Sequence, residues 1–315
     1  MTPTLAKPTI ARRPSLTTTV MTLPNVSAAG SDDDPPGGDL GGVNAFNFTF
    51  LIFGYPRVGK TRLCLSLALD RRAGRTYYLD STNGTEGIRH QLATVDATVR
   101  ACADSKALKV HLDWLLAHPG RYQTLVVDDF TEVFDLTKVA VAKSKGRGTP
   151  DNLEGLDFGA IYDRMLEVIR MFSKLASPIA AGGCGMNVIV TCWSELEDHP
   201  TEPGTKLIVP LFAGKFGYKV PGFFSIVGHL FANTRSKLVG GKSETTFYNQ
   251  LDTLASNALV GDRWGKLPGK MPYPTGEMIF DAIYEGGDAL QEARRDDRPT
   301  TEPQPQTEKE PSTNG

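Results

Sequence analysis

The apolar positions between residues 46 and 53 change rhythm along their length. Phe46, Phe48 and Phe50 alternate with Asn47 and Thr49, and then Leu51, Ile52 and Phe53 run on without a polar break. Alternation suits a strand covered on one face, whereas a continuous apolar run suits a strand entering a parallel sheet that is covered on both. The pattern next predicts a helix over about 60–72, a strand at 76–79 and a mainly helical stretch ending near Ala117. A third short apolar strand at 122–127 runs into the acidic pair Asp128-Asp129. Ile161, Met165, Val168, Ile169 and Phe172 recur at helical spacing and predict an amphipathic helix over 157–176, followed by a strand at 187–191. Strands alternating with helices predict an α/β fold with a mostly parallel central sheet and helices on both faces. In such sheets ligands bind at the carboxyl ends of the strands.

The pattern fades at both ends. Residues 1–44 are rich in Thr, Ser, Pro, Gly and Asp, and the chain turns polar again from Gly286 into a Pro/Thr/Glu/Gln run. Neither composition buries enough apolar surface to offset its ordering entropy, so 1–44 and 286–315 read as disordered tails around one domain at 45–285. No internal repeat of solenoid period is present. The formal net charge of −2 gives no general attraction to polyanions, so any such contact must come from a local patch. Cys64, Cys102, Cys184 and Cys192 lack C-x-x-C spacing and read as buried free thiols. No apolar stretch is long enough for a leader or a membrane span, so the expected compartment is the cytoplasm, with no membrane partner.

The strongest chemical signal is Gly54-Tyr55-Pro56-Arg57-Val58-Gly59-Lys60-Thr61, a complete G-x-x-x-x-G-K-[ST] placed after a predicted strand and before a predicted helix. Its glycines let the backbone turn so that N–H groups face phosphate oxygens, and the helix N-terminus adds partial positive charge. ATP and Mg2+ are the implied ligands. Lys60 then bridges the β- and γ-phosphates, the Thr61 hydroxyl ligates magnesium, and Arg62 follows within reach of the nucleotide. Asp128, ending a later apolar strand, is the second magnesium residue. Asp129 either polarises the attacking water or caps the next helix. Asp80 ends the second strand on the same sheet edge, as a nucleotide contact or a turn former. Thr191 ends the fourth, as a γ-phosphate contact or a plain structural residue.

Two segments offer themselves to a polymeric partner. Lys143-Ser144-Lys145-Gly146-Arg147-Gly148 is basic and glycine-containing, as a backbone-phosphate contact or a solvated loop would be. The stretch from Ser194 to Lys219 carries mixed charge and sets Phe212, Phe216 and Tyr218 among lysines, which fits base stacking or a hydrophobic anchor. Arg235 and Arg263 are candidates for reaching a nucleotide, in their own subunit or across an interface.

The order of these motifs resembles the RecA-like ATPases, and more closely the phage-encoded nucleotide-binding proteins of the AAA and RecA-like group associated with single-strand annealing recombination. The similarity covers about 46–285. It rests on the P-loop, Leu79-Asp80, Val126-Val127-Asp128, Val188-Ile189-Val190-Thr191, Pro210-Leu211-Phe212-Ala213-Gly214-Lys215 and Asp262-Arg263-Trp264-Gly265-Lys266-Leu267-Pro268. The resemblance implies an oligomeric ATPase acting with single-stranded DNA, alongside a single-strand-binding or replication protein, with 143–156 and 194–214 facing the DNA. Where relatives carry a catalytic Glu shortly after the second strand's Asp, this chain has Thr82, and its nearest downstream acid is Glu86. Where they tend to carry Lys before the late Asp-Arg, it has Gly261. Hydrolysis is then expected to be slow, to use Asp129 or Glu86, or to need a partner's arginine. A small-molecule or nucleotide kinase and a nucleotide-gated adaptor with weak hydrolysis are the competing readings.

Overall fold

The computed structural model of the chain describes residues 47–239 and 242–284. The segments read as tails, and Phe46 at the start of the first strand pattern, lie outside the described residues. The elements in chain order are β1 (Thr49–Phe53), α1 (Lys60–Leu69), β2 (Thr76–Asp80), α2 (Arg89–Leu92), β3 (Ala97–Ala101), α3 (Ser105–Ala117), β4 (Thr124–Asp128), α4 (Phe130–Ser144) and α5 (Gly155–Ala176). They continue through β5 (Asn187–Cys192), β6 (Ser194–Asp198), β7 (Lys206–Pro210), α6 (Phe216–Lys219), β8 (Ile226–Val239), β9 (Lys242–Asp252), β10 (Gly261–Asp262), β11 (Lys270–Pro272) and α7 (Gly276–Tyr284).

The main sheet runs β11-β9-β8-β1-β5-β4-β2-β3, with β10 pairing β8. From β8 to β3 every neighbouring pair is parallel, and β9, β10 and β11 add antiparallel pairings at the other edge. Strand alternation divides the apolar side chains between two cores. Phe50 and Ile52 of β1, Tyr78, Val126 and Ile189 pack with α1 and α7 on one face. Leu51, Phe53, Leu79, Val127 and Val190 pack with α3, α4 and α5 on the other. Both faces are therefore covered, which is why the central strands read as apolar runs. Ile161, Met165, Val168, Ile169 and Phe172 of α5 are all buried, each such side chain contributing about 1.5–3 kcal/mol. A reciprocal capping box between Glu154 and Asp157 starts that helix.

Four expectations change. α1 stops at Leu69, because Asp70 accepts from Arg72 N–H and turns the chain into a short 3-10 segment, Arg71–Ala73. The stretch read as helical up to Ala117 contains β3, whose Ala-Thr-Val-Arg-Ala sequence adds a parallel edge to β2. Helical neighbours on both sides concealed so short a strand. Lys143 and Ser144 belong to the last turn of α4 rather than to a loop. The segment 194–214 is largely an antiparallel pair, β6 with β7, outside the main sheet.

All four cysteines are buried free thiols. Among the described residues no helix is long and apolar enough to cross a membrane.

Candidate functional site

The loop between β1 and α1 is shaped by backbone that only some residues tolerate. Gly59 has φ 93° and Arg57 φ 66°, both left-handed, and α1 begins at Lys60. Gly54 is needed for a different reason. A Cβ there would lie 2.1 Å from the carbonyl oxygen of Leu230 in β8, so the loop rests directly on a neighbouring strand. The P-loop is thus held by the sheet's own register, with β8 beside β1 from Ile226 to His229.

Pro56, Arg57, Gly59, Lys60, Thr61 and Arg62 form one wall of a cleft of about 680 Å³. Thr82 and Gly84 beyond β2, Asp128 and Asp129 at the end of β4, Trp193 after β5 and Asn249 of β9 complete it. Every strand bordering the cleft except β9 ends there at its carboxyl edge, the edge where parallel sheets bind ligands. Lys60 is 7% exposed, and its ammonium donates to the carbonyls of Gly54 at 2.9 Å and Tyr55 at 3.2 Å. Burial holds its pKa below the ordinary lysine value, opposed chiefly by Asp129.

The adjacent carboxylates Asp128 and Asp129 have separate environments. Asp128 is 3% exposed and accepts two side-chain bonds, from the Tyr78 hydroxyl at 2.8 Å and from Thr191 at 2.5 Å. Those donors fix both oxygens in place while the residue still borders the cleft. Asp129 caps α4, accepting from Thr131 N–H at 2.7 Å, and its own N–H donates to the Ser81 hydroxyl at 2.7 Å. Its carboxyl is pushed up to about 7, mainly by burial and further by Asp128, against the pull of Lys60 and the Thr131 N–H. A carboxyl titrating near neutrality beside a phosphate-binding loop suits proton transfer. Capping and cleft lining coexist in this one residue. Thr131 in turn accepts from Trp193 N–H at 2.8 Å, tying the end of β5 to the start of α4.

The donor set fits a magnesium nucleotide. A buried ammonium, a hydroxyl on the second residue of a helix and a strand-end carboxylate converge with left-handed glycine backbone in one cleft.

Other sequence candidates fall elsewhere. Asp80 is a turn former: Thr82 N–H, Gly84 N–H, Thr85 N–H and the Thr85 hydroxyl all donate to it, so its carboxylate is committed to the turn after β2. Thr191 is fully buried beneath Asp128 and bonds that carboxylate, which makes it a positioning residue. Glu86 is exposed in the 3-10 turn Gly84–Ile88, where Asn83 donates to it, and it does not line the cleft. Arg235 is exposed on β8 six residues past His229, about 20 Å beyond the last residue pairing β1 at roughly 3.3 Å per residue. Arg263 lies at the other end of the sheet, where its N–H bonds the Ser225 carbonyl and its guanidinium donates to Gly222. The P-loop follows the carboxyl end of β1, whereas Ser225 precedes the amino end of β8, so Arg263 does not reach the nucleotide of its own subunit. The basic segment 143–148 is pinned by Arg147, which pairs with Glu154 and Asp157.

Trp193 and Asn249 were not among the sequence candidates. Asn249 comes from a distant strand, and its amide nitrogen lies 2.6 Å from where a Cβ on Gly59 would sit. Only the strand order reveals that contact. Beside it Tyr248 and Tyr273 stack at 4.9 Å, and Tyr273 N–H donates to the Asn249 carbonyl.

A family profile described as the AAA domain matches residues 47–258. Among solved structures the chain is similar to the flagellar accessory protein FlaH from Methanocaldococcus jannaschii, with 12% identity, 71% of this chain and 84% of that one covered, and a TM-score of 0.36. It is also similar to a prototypical ATPase from the type III secretion system of pathogenic bacteria, with 16% identity, 58% of this chain and 51% of that one covered, and a TM-score of 0.37. No curated protein matches the sequence.

Proposed function

We propose that the chain, which belongs to the AAA domain family, is a RecA-like P-loop ATPase that hydrolyses magnesium ATP while acting with single-stranded DNA in phage recombination, repair or replication. The observation that carries the hydrolytic part is the convergence of Lys60, Thr61, Asp128 and Asp129 in one cleft at the carboxyl edge of the sheet. Lys60 holds the β- and γ-phosphates, and Thr61 with Asp128 holds the metal. Bound magnesium supplies positive charge against the charge that develops on the transferring phosphoryl group. Asp129 receives the proton of the attacking water. Thr82, standing where relatives place a carboxylate, supplies no base, which leaves that task to Asp129.

The DNA part is supported by the β8–β9 hairpin. Beyond His229 it continues past the last pairing with β1, and it exposes Arg235 on one face of the ribbon and Phe247, 74% accessible, on the other, so that a bound strand would wrap the ribbon's edge. A cation for phosphate and an aromatic face for a base are what sequence-tolerant single-strand binding needs. At its root Asn249 abuts Gly59 of the P-loop, which gives nucleotide state a route to the hairpin. Arg263, on the opposite edge from the P-loop, suits a head-to-tail homo-oligomer in which one subunit's arginine meets the next subunit's nucleotide. A single-strand-binding or replication protein is the expected further partner.

The test is ATP hydrolysis by the purified chain with and without single-stranded DNA, beside Lys60→Ala. Turnover that rises with DNA and vanishes in the variant supports the proposal. Nucleotide binding with DNA-independent turnover removes the DNA role, and phosphate transfer to an added acceptor points to a kinase.

A further inference from the structure

A second cleft, of about 710 Å³, opens beside the phosphate cleft and shares Thr82 with it. It lies at the carboxyl ends of β2 and β3, walled by the turn after Asp80, by Val99–Ala103 at the end of β3, by Arg89 of α2 and by Leu136 of α4. Its volume falls within the range of small-molecule sites and far exceeds what a packing defect requires.

The charge of this cleft is one-sided. Arg89 and Arg100 both line it, and among the described residues neither makes an ion pair, unlike Arg72, Arg75 and Arg147, each of which meets a carboxylate. Arg89 is oriented by a bond to the Asn83 side chain at 2.7 Å, and Arg100 by a bond to the Val99 carbonyl at 3.1 Å. Each leaves further guanidinium N–H groups for a ligand. The only carboxylate among the lining residues is Asp80, and its oxygens are taken by the turn. Two guanidiniums with no carboxylate partner, one on the α2 wall and one on the β3 wall of the same cleft, recognise a doubly charged tetrahedral anion better than any neutral group.

We propose that this cleft is a second anion site that binds a phosphate group, held by Arg89 and Arg100 next to the terminal phosphate of the nucleotide. The reading rests on the P-loop cleft being the nucleotide site. The phosphate has two sources of the same chemistry, the orthophosphate released by hydrolysis or the monoester of a separate ligand. Ser81, on the wall between, donates to the Asp129 carbonyl at 2.6 Å and accepts from Asp129 N–H, so occupancy here touches the backbone of the proposed base.

The experiment titrates the full chain, saturated with magnesium ADP, with inorganic phosphate and separately with AMP, by calorimetry. The variants are Arg89→Gln/Arg100→Gln and the charge-retaining Arg89→Lys/Arg100→Lys. The expected result is phosphate binding to the ADP-loaded chain that weakens at least about tenfold in the Gln pair, a floor set by one of the two charge-assisted contacts removed, and less in the Lys pair. ADP affinity stays unchanged. AMP that binds and displaces phosphate identifies a monoester ligand, whereas phosphate binding without AMP binding identifies the hydrolysis product. Phosphate affinity equal in wild type and the Gln pair would place the anion in the P-loop and overturn the proposal, as would no binding of either probe. Failure of the nucleotide reading is separate, since it appears as absence of ADP binding in the wild type.

Discussion

The two clefts on the carboxyl edge of the sheet share Thr82 but treat charge in opposite ways. In the phosphate cleft Lys60, Asp128 and Asp129 are buried, and each is bonded by named protein groups before any ligand arrives. In the neighbouring cleft Arg89 and Arg100 are exposed and anchored by one polar bond each. Buried charges depend on the groups fixed around them and have few ways to relax, whereas exposed ones are screened by water and adapt. Substitutions in the first cleft should therefore disturb chemistry and folding together, and those in the second should disturb binding alone.

The sharpest test is Asp129→Asn. Loss of a general base costs about 100-fold to 10,000-fold in turnover. Since the carboxyl titrates at about 7, wild-type turnover should climb as pH rises through neutrality, and the variant should lose that limb of the profile. Stability must move the other way. A carboxyl at about 7 folded and about 3.9 unfolded keeps its proton longer in the folded state, so the folded chain binds more protons between those values. The stabilisation is fully present below about pH 4 and is lost as pH rises to about 7, with a slope of at most about 1.4 kcal/mol per pH unit. Denaturant unfolding of the ligand-free chain from pH 5 to 8 should show this decline in wild type and a flatter curve in the variant. Equal slopes would break the contrast between the clefts.

A smaller effect is expected from the P-loop glycines, and they differ. Gly54→Ala sets a methyl against the Leu230 backbone carbonyl, which cannot swing aside, and overpacking of this kind costs about 1–3 kcal/mol. Gly59→Ala meets only the Asn249 side chain, which can move, but forces alanine into left-handed backbone at about 1–2 kcal/mol. Adding Asn249→Ala should recover part of the loss in Gly59→Ala and none in Gly54→Ala. Thermal unfolding of the two single and two double variants checks the ordering.

What the sequence made legible follows from the range of each interaction. The β1–P-loop–α1 unit is written in contiguous residues, as apolar run, glycine turn and helix, so its place is readable from the order of residues alone. The same is true of Val126-Val127-Asp128 at the end of β4. Residues whose role depends on a partner far along the chain were not legible. Thr191, near the end of β5, donates to Asp128 far along the chain, whereas Asp80 is enclosed by its own turn, as one of its two local readings had it. Asn249 of β9 and Arg263 just after β10 both come from the late antiparallel part of the sheet, and sheet order puts one against Gly59 and the other at the opposite edge. β3 escaped because an exposed edge strand of five residues has no two-sided apolar pattern to announce it.

The finest discrimination lies beneath Asp128. Tyr78→Phe deletes the hydroxyl that donates to its second oxygen, and Thr191→Val deletes the donor to the first while keeping the shape of the side chain. A hydrogen bond to a charged group contributes about 1.5–3 kcal/mol, and both donors are buried, so water does not replace them at once. Each single variant should lose stability in that range, and the pair should lose more than the sum, because the second deletion strands a carboxylate that the first left with one donor. Arg100→Gln, made on an exposed arginine of the second cleft, should shift stability by no more than about 0.5 kcal/mol. If Tyr78→Phe proved as mild as Arg100→Gln, Asp128 would be hydrated rather than held, and the buried, pre-set character of the phosphate cleft would fail at the carboxylate proposed to bind the metal.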